Sequence, residues 1–162
     1  MLGGIQIDTK NFTLRTGSRT FDAASYLRAN GADSNLIQSF MKENLTDFKS
    51  RTHLINLAVV DSGNAIVTGE SNQTYSGLIT AQAADELLQI SSVEASYVVT
   101  KRADGRVGIS ARSTGQRNVQ RIMEAMGGGG HLSNAATQIS GETPEAVTKQ
   151  LKEVLQAAIE AQ

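Results

Sequence analysis

Two rhythms of hydrophobic positions run through this chain, and the switch between them predicts its elements. Phe21, Ala24, Tyr26 and Leu27 are spaced for the buried face of a helix over residues 20–29, with Thr20 as N-cap and Gly31 as stop. Leu36, Ile37, Phe40, Met41, Leu45 and Phe48 recur at three- and four-residue steps, predicting a second helix that opens at Asp33 or Ser34. The stripe dies out before Lys49-Ser50-Arg51, read as a connector beside a domain boundary. Residues 54–60 are then aliphatic and β-branched, and residues 65–68 return after the turn Asp61-Ser62-Gly63-Asn64, predicting a hairpin. A polar loop at 69–77 leads into helical spacing over 78–90, carried by Leu78, Ile79, Ala83, Ala84, Leu87 and Leu88. A strand pair, 95–101 and 106–112, follows, joined through Ala103-Asp104-Gly105.

Three further elements complete the pattern. A helix over 116–126 turns Val119, Ile122, Met123 and Met126 inward as core, and residues 135–140 form a short strand. Thr143-Pro144-Glu145 then opens a closing helix with Thr as cap, Pro in the first turn and an acid at the positive end of the dipole. Its stripe of Val147, Leu151, Val154, Leu155, Ala158 and Ile159 is suited to cover a sheet. At the other end of the chain, residues 2–7 read as a short strand that stops at Asp8. The expected fold class is α/β: a mixed sheet with flanking helices over 51–162, preceded by a partial α/β unit over 1–50.

Composition narrows the partners. With 162 residues, 40% of them hydrophobic, the chain can bury a core. A net charge of -1 and a pI of about 6.1 exclude a broad cationic footprint, so a nucleotide must be held by local arginines and backbone donors. Cysteine is absent, which removes disulfides and thiolate metal sites and fits a reducing compartment. No apolar run is long enough to span a bilayer, so a cytoplasmic chain without membrane contact is expected. Aromatics make up 4% and Trp is absent, leaving few platforms for stacked bases.

The candidate chemistry centres on Gly127-Gly128-Gly129-Gly130-His131. Four residues without Cβ let backbone amides approach an anion, and His131 adds a donor; if the segment after His131 is helical, a helix N-terminus adds to this. A flexible linker is the bland alternative. It fits poorly, because Val119, Ile122, Met123 and Met126 precede the run, and Leu132 and Ile139 follow it. Strand alternation places Ser110 and Arg112 on one side and Ile109 and Ala111 on the other, so Arg112 is suited to clamp phosphate from a rigid strand end. Asp8, at the end of its strand, is either a metal ligand or acid or an ordinary turn former. The loop 11–19 carries Thr13, Arg15, Thr16, Ser18 and Arg19, donors for phosphate or a solvated surface. His53 reads as a plain strand-edge residue.

Ile109-Ser110-Ala111-Arg112-Ser113 followed by Gly127-Gly128-Gly129-Gly130-His131 resembles the substrate-binding domain of DHH-family phosphoesterases, and the stretch from Gly4 to Asp22 resembles the end of their catalytic domain. In detail the chain is similar to GdpP-type phosphodiesterases, which hydrolyse cyclic di-AMP to a linear dinucleotide with manganese. The resemblance implies that Asp8 is the last metal-binding aspartate of a two-metal site. It likewise implies that Gly127 to Gly130, His131, Ser110 and Arg112 bind substrate, and it gives Arg15 and Arg19 no role. These 162 residues lack the Asp-His-His triplet and the earlier ligands, so the expectation is a carboxy-terminal portion that keeps half a substrate cleft without the chemistry. Part of an oligonucleotide exonuclease of nanoRNase or RecJ type, acting on short oligonucleotides, is the alternative within the enzyme class. A non-catalytic nucleotide-binding module that assembles into a homo-oligomer is the alternative from another class.

Overall fold

The computed structural model describes residues 1–9, 11–13 and 16–160, which divide into two compact units, Met1–Asn44 and Leu45–Gln162. Arg15 lies outside the described residues.

The first unit holds three short helices, α1 (Leu2–Asp8), α2 (Ser18–Ala29) and α3 (Ser34–Phe40). The strand expected over 2–7 is therefore a helix. A lone strand needs a neighbour for its amides, whereas this segment satisfies them within itself, Ile5 N to Met1 O at 3.1 Å and Thr9 N to Ile5 O at 3.0 Å. Gly17 caps α2 and Thr20 sits inside it, its Oγ1 accepting from Gly17 N. Asp33 caps α3 by accepting from Asn35 N at 2.8 Å. The buried face expected for α2 is absent: Phe21 is 55% and Tyr26 68% exposed. Three helices of 7, 12 and 7 residues cannot enclose a core.

The second unit is a three-layer sandwich. The single helix expected across residues 34–48 is two, because α3 stops at Phe40 and α4 (Leu45–Asn56) starts afresh, absorbing the expected connector at 49–51. Residues 54–56, expected in a strand, also belong to α4. Leu54 is fully buried there between α4 and the layer below, and an apolar run of this length fits a buried helix as well as a strand. The strands are β1 (Val59–Asp61), β2 (Asn64–Thr68), β3 (Ala95–Lys101), β4 (Val107–Ser113), β5 (Gly129–Gly130) and β6 (Asn134–Ile139). Helix α5 (Gly77–Leu87) connects β2 to β3, α6 (Val119–Ala125) connects β4 to β5, and α7 (Pro144–Glu160) closes the chain.

The sheet order is β1-β2-β3-β4-β6-β5, with β2 and β3 parallel and every other pair antiparallel, the mixed α/β sheet expected. Ser62 and Gly63 both take positive φ, 49° and 79°, which matches the tight turn to the twist of β1 and β2. One face of the sheet packs Tyr97, Val99, Val107, Ile109 and Ala111 against α6 and α7. The other packs Ala65, Val67 and Val98 against α4 and α5. Helix α7 starts as its first three residues require, Ala146 N bonding Thr143 Oγ1 at 3.2 Å, and it buries Val147, Leu151 and Leu155.

Burial makes two phenols hard to ionise. Tyr97, 1% exposed, is pushed up to about 12 by desolvation. Tyr75 also rises to about 12, through desolvation and its hydrogen bond to Glu70. In an unfolded chain both titrate near 10. A raised folded pKa means that their contribution is complete below pH ~10 and is lost as pH rises toward ~12. The urea midpoint is expected to fall across that window and to fall less in Y75F/Y97F; an undiminished fall in the double variant would overturn this account.

Candidate functional site

Strand β4 carries two of the residues singled out from sequence, and its alternation points both to the α5 side. Ile109 and Ala111 join the α6–α7 core, while Ser110 lies opposite Val98 of the α5 core. Ser110 is buried. Arg112 leans on α5: its Nε lies 3.3 Å from Asp85 Oδ1, and its Nη1 donates to the Ala111 carbonyl at 3.0 Å. The carboxylate aims the guanidinium along the face of the sheet.

That face is covered only in part. Across β4 and β6, Gly108, Ser110 and Arg112 stand opposite Gln138, Ala136 and Asn134. Cross-strand partners share a face, yet all three β6 residues are exposed while Ala135 and Thr137 between them are buried. Helix α5 therefore stops short of β6. Beyond Ala136 the sheet ends at Gly129, so this part of the floor carries no side chain larger than a methyl.

The glycine run does something other than offer four amides. Gly127 N bonds Glu124 O at 3.0 Å and Gly128 N bonds Met123 O at 2.8 Å, with Gly127 at φ 79°. This pair of bonds is a Schellman cap on α6, and Thr137 Oγ1 satisfies the Met126 carbonyl beside it at 3.1 Å. Gly128 and Gly130 are glycine because the chain runs flat against β6: a Cβ at 128 would enter the Ala136 carbonyl, and one at 130 would lie 2.5 Å from Ala135 Cα. The segment after His131 is a hairpin and not a helix. His131 and Asn134 exchange backbone bonds, 2.7 Å and 3.3 Å, and β6 runs back along β5. No helix dipole points at the loop. Of the amides from 127 to 131, those of Gly127, Gly128 and His131 are taken, and ladder alternation turns the Gly130 amide outward. The His131 side chain is exposed.

Structure thus brings Arg112, Gly129, Gly130 and His131 to one end of the sheet, Arg112 standing opposite Asn134 and His131 bonded to it, while Ser110 is buried toward α5. Asp8 stands at the end of α1 in the other unit, on a helix and not at a strand edge. Among the described residues no three His, Cys, Asp or Glu side chains gather in a way that could hold a metal ion. One exposed carboxylate does not fit a manganese centre. His53 lies on α4, its Nε2 2.5 Å from Glu70 Oε1, and that contact is the largest cause holding the Glu70 carboxyl below its ordinary pKa.

Two residues of this face escaped sequence reading. Asp85, the partner of Arg112, sits inside a helix whose pattern spoke only of core. Arg102 lies over Gly108, and a glycine in a strand interior was the available signal, since it marks a place where another group approaches the backbone.

Residues 62–161 match the DHHA1 domain. This chain belongs to the DHHA1 domain family. The resemblance carried by residues 109–113 and 127–131 therefore holds. Over 158 residues this DHHA1 chain is 55% identical to the cyclic-di-AMP phosphodiesterase PdeA of Listeria monocytogenes, covering 97% of this chain and 24% of that protein. It is 54% identical over 156 residues to the cyclic-di-AMP phosphodiesterase GdpP of Geobacillus thermodenitrificans, covering 96% of this chain and 24% of that one. The chain thus spans about a quarter of the length of these relatives. Its fold is like that of an exopolyphosphatase-related protein from Bacteroides fragilis, with a TM-score of 0.79 at 18% identity over 97% of this chain and 47% of that one.

The cap and the close packing of the loop are separable. Gly127→Ala is expected to cost about 1 kcal/mol, the left-handed penalty for a residue with a Cβ. Gly128→Ala is expected to cost about 3 kcal/mol or more, because backbone must move. Denaturant titration of both variants reads this order; equal or reversed costs would sink the assignment of the two roles.

Proposed function

We propose that this chain is the substrate-gripping part of a cyclic di-AMP phosphodiesterase, and that alone it binds the dinucleotide without hydrolysing it. The observation that carries the reading is Arg112, fixed on a central strand beside a floor of Asn134, Ala136 and Gly129 that α5 does not cover. A guanidinium meets two phosphate oxygens at once and stays charged at any working pH. Its Nε pairs with Asp85 at 3.3 Å and its Nη1 donates to the Ala111 carbonyl, which leaves Nη2 to meet a phosphate first. The exposed imidazole of His131 and the outward amide of Gly130 supply donors at the end of the same face. The high identity to two cyclic-di-AMP phosphodiesterases supports the choice of ligand.

The resemblance implies manganese, which in such enzymes activates water and neutralises phosphoryl oxygens. The residues of this chain do not fit that centre, so no hydrolytic step is assigned to them. In this proposal Asp8 contributes at most one ligand to a site whose other ligands lie outside these 162 residues. Cytoplasmic placement belongs to the same proposal, and no helix among the described residues is long and apolar enough to cross a membrane. So does a homo-oligomer, since Phe21, Tyr26, Leu36 and Phe40 leave apolar side chains in water.

Calorimetry with cyclic di-AMP is expected to show binding that weakens by about 10- to 100-fold in R112A and recovers only in part in R112K. The chain with added manganese is expected to produce no linear dinucleotide. Unchanged affinity in R112A, or turnover, would overturn the proposal. Tighter binding of a short RNA in competition would move it to the oligonucleotide exonucleases. Light scattering is expected to show a mass above that of one chain, falling toward it when Phe40 and Tyr26 become Ser; a clean monomer at high concentration removes the homo-oligomer.

A further inference from the structure

The open face continues along β6 past Ala136 to Gln138 and a second cation. Arg102 leaves the end of β3 and folds back over β4. A Cβ at Gly108 would lie 2.5 Å from its Nε and 2.7 Å from its Nη2, and a Cβ at Gly77 would lie 3.1 Å from Nη1. Two glycines, one from β4 and one from α5, thus form the slot that seats the guanidinium. Inside it the Nε hydrogen is buried with no acceptor among the described residues, and Nη1 makes a long hydrogen bond to Thr80 Oγ1 at 3.4 Å. The neighbouring carboxylate is committed elsewhere. Asp104 accepts from the Arg106 backbone amide at 3.0 Å, from its Nε at 2.9 Å and from its Nη2 at 2.6 Å.

The buried Nε is closed to solvent, so an anion in the pocket would meet the Nη end of the fork, where the nearby Asp104 acts on Arg102 through space without a hydrogen bond. Desolvation indeed lowers the pKa of Arg102, with Asp104 opposing and Arg106 adding to the effect. The guanidinium lines an open pocket of about 470 Å³, together with Thr74, Ser76, Asp104 and Gln138. The Ser76 oxygen accepts from Ile79 N, which leaves its hydroxyl hydrogen for another acceptor. Two hydroxyls, a side-chain amide and a forked cation suit an anion with several oxygens. Gly108 and Arg112 are four residues apart on β4, about 13 Å.

We propose that Arg102 anchors a second phosphate subsite at the far end of this face, taking a phosphate group of a nucleotide. Its source is either the second phosphate of the dinucleotide held by Arg112 or a separate free phosphate. The dinucleotide arm rests on the function proposed above; the inorganic-phosphate arm does not, so failure of one is distinguishable from failure of the other.

Amide NMR with inorganic phosphate is expected to give saturable shifts at Ser76, Gly77 and Ala103 that persist in R112A and disappear in R102A and R102Q. The glutamine variant keeps the packing in the slot, and thermal melting checks that each variant folds. With cyclic di-AMP as ligand, a loss of about 5-fold or more in R102Q assigns the subsite to the substrate. Unchanged dinucleotide affinity alongside lost phosphate shifts assigns it to a free phosphate. Phosphate shifts that are absent from the wild type, or that survive in R102Q, overturn the proposal.

Discussion

Helix α5 meets the sheet through small and hydroxylated residues, and this close contact governs what the uncovered face can offer. Ser96 Oγ donates to the Ala84 carbonyl at 2.7 Å, and Thr80 and Thr100 share a buried hydrogen bond at 2.8 Å. Bulkier apolar residues at these positions would lift the helix from the sheet. With α5 held low, Asp85 at one end reaches Arg112, and Gly77 at the other closes over Arg102. A single docking thus orients both guanidiniums. It also decides where cover ends, since α5 shields β3 and β4 and leaves Asn134, Ala136 and Gln138 of β6 exposed.

The two faces of the sheet divide the labour. Toward α6 and α7, Tyr97, Ile109, Met123 and Leu151 build a core of large side chains. Toward α5, β4 presents Gly108, Ser110 and Arg112, small or polar residues that let Arg102 and α5 lie close to the strand. The relatives are about four times as long as this chain.

Much of this arrangement was legible in the sequence where local rules suffice. Asp104-Gly105 fixed the β3–β4 turn, and alternation alone put Ser110 and Arg112 on one side. Thr143-Pro144 announced α7. Legibility failed where the outcome depends on distant partners. Residues 2–7 look like a strand, but a strand needs a neighbour, and residues 54–56 look the same whether buried in a helix or a sheet. The middle of the stripe from Leu36 to Phe48 hides a break, because three- and four-residue spacing survives the gap between α3 and α4. Asp85 was beyond local reading, since only the packing of α5 gives it its neighbour, and Gly108 hinted that some group approaches β4 without saying that it is Arg102.

The glycine run carries a lesson about how such motifs age. At positions 128 and 130 any side chain would strike the backbone of β6, and position 127 needs a left-handed turn to finish α6. Drift at these positions is held back by architecture whether or not a ligand is ever bound. A descendant that had lost its substrate would go on displaying glycine at 127, 128 and 130, whereas 129 has open space for a Cβ, so three of the four letters are a record of ancestry before they are a gauge of activity.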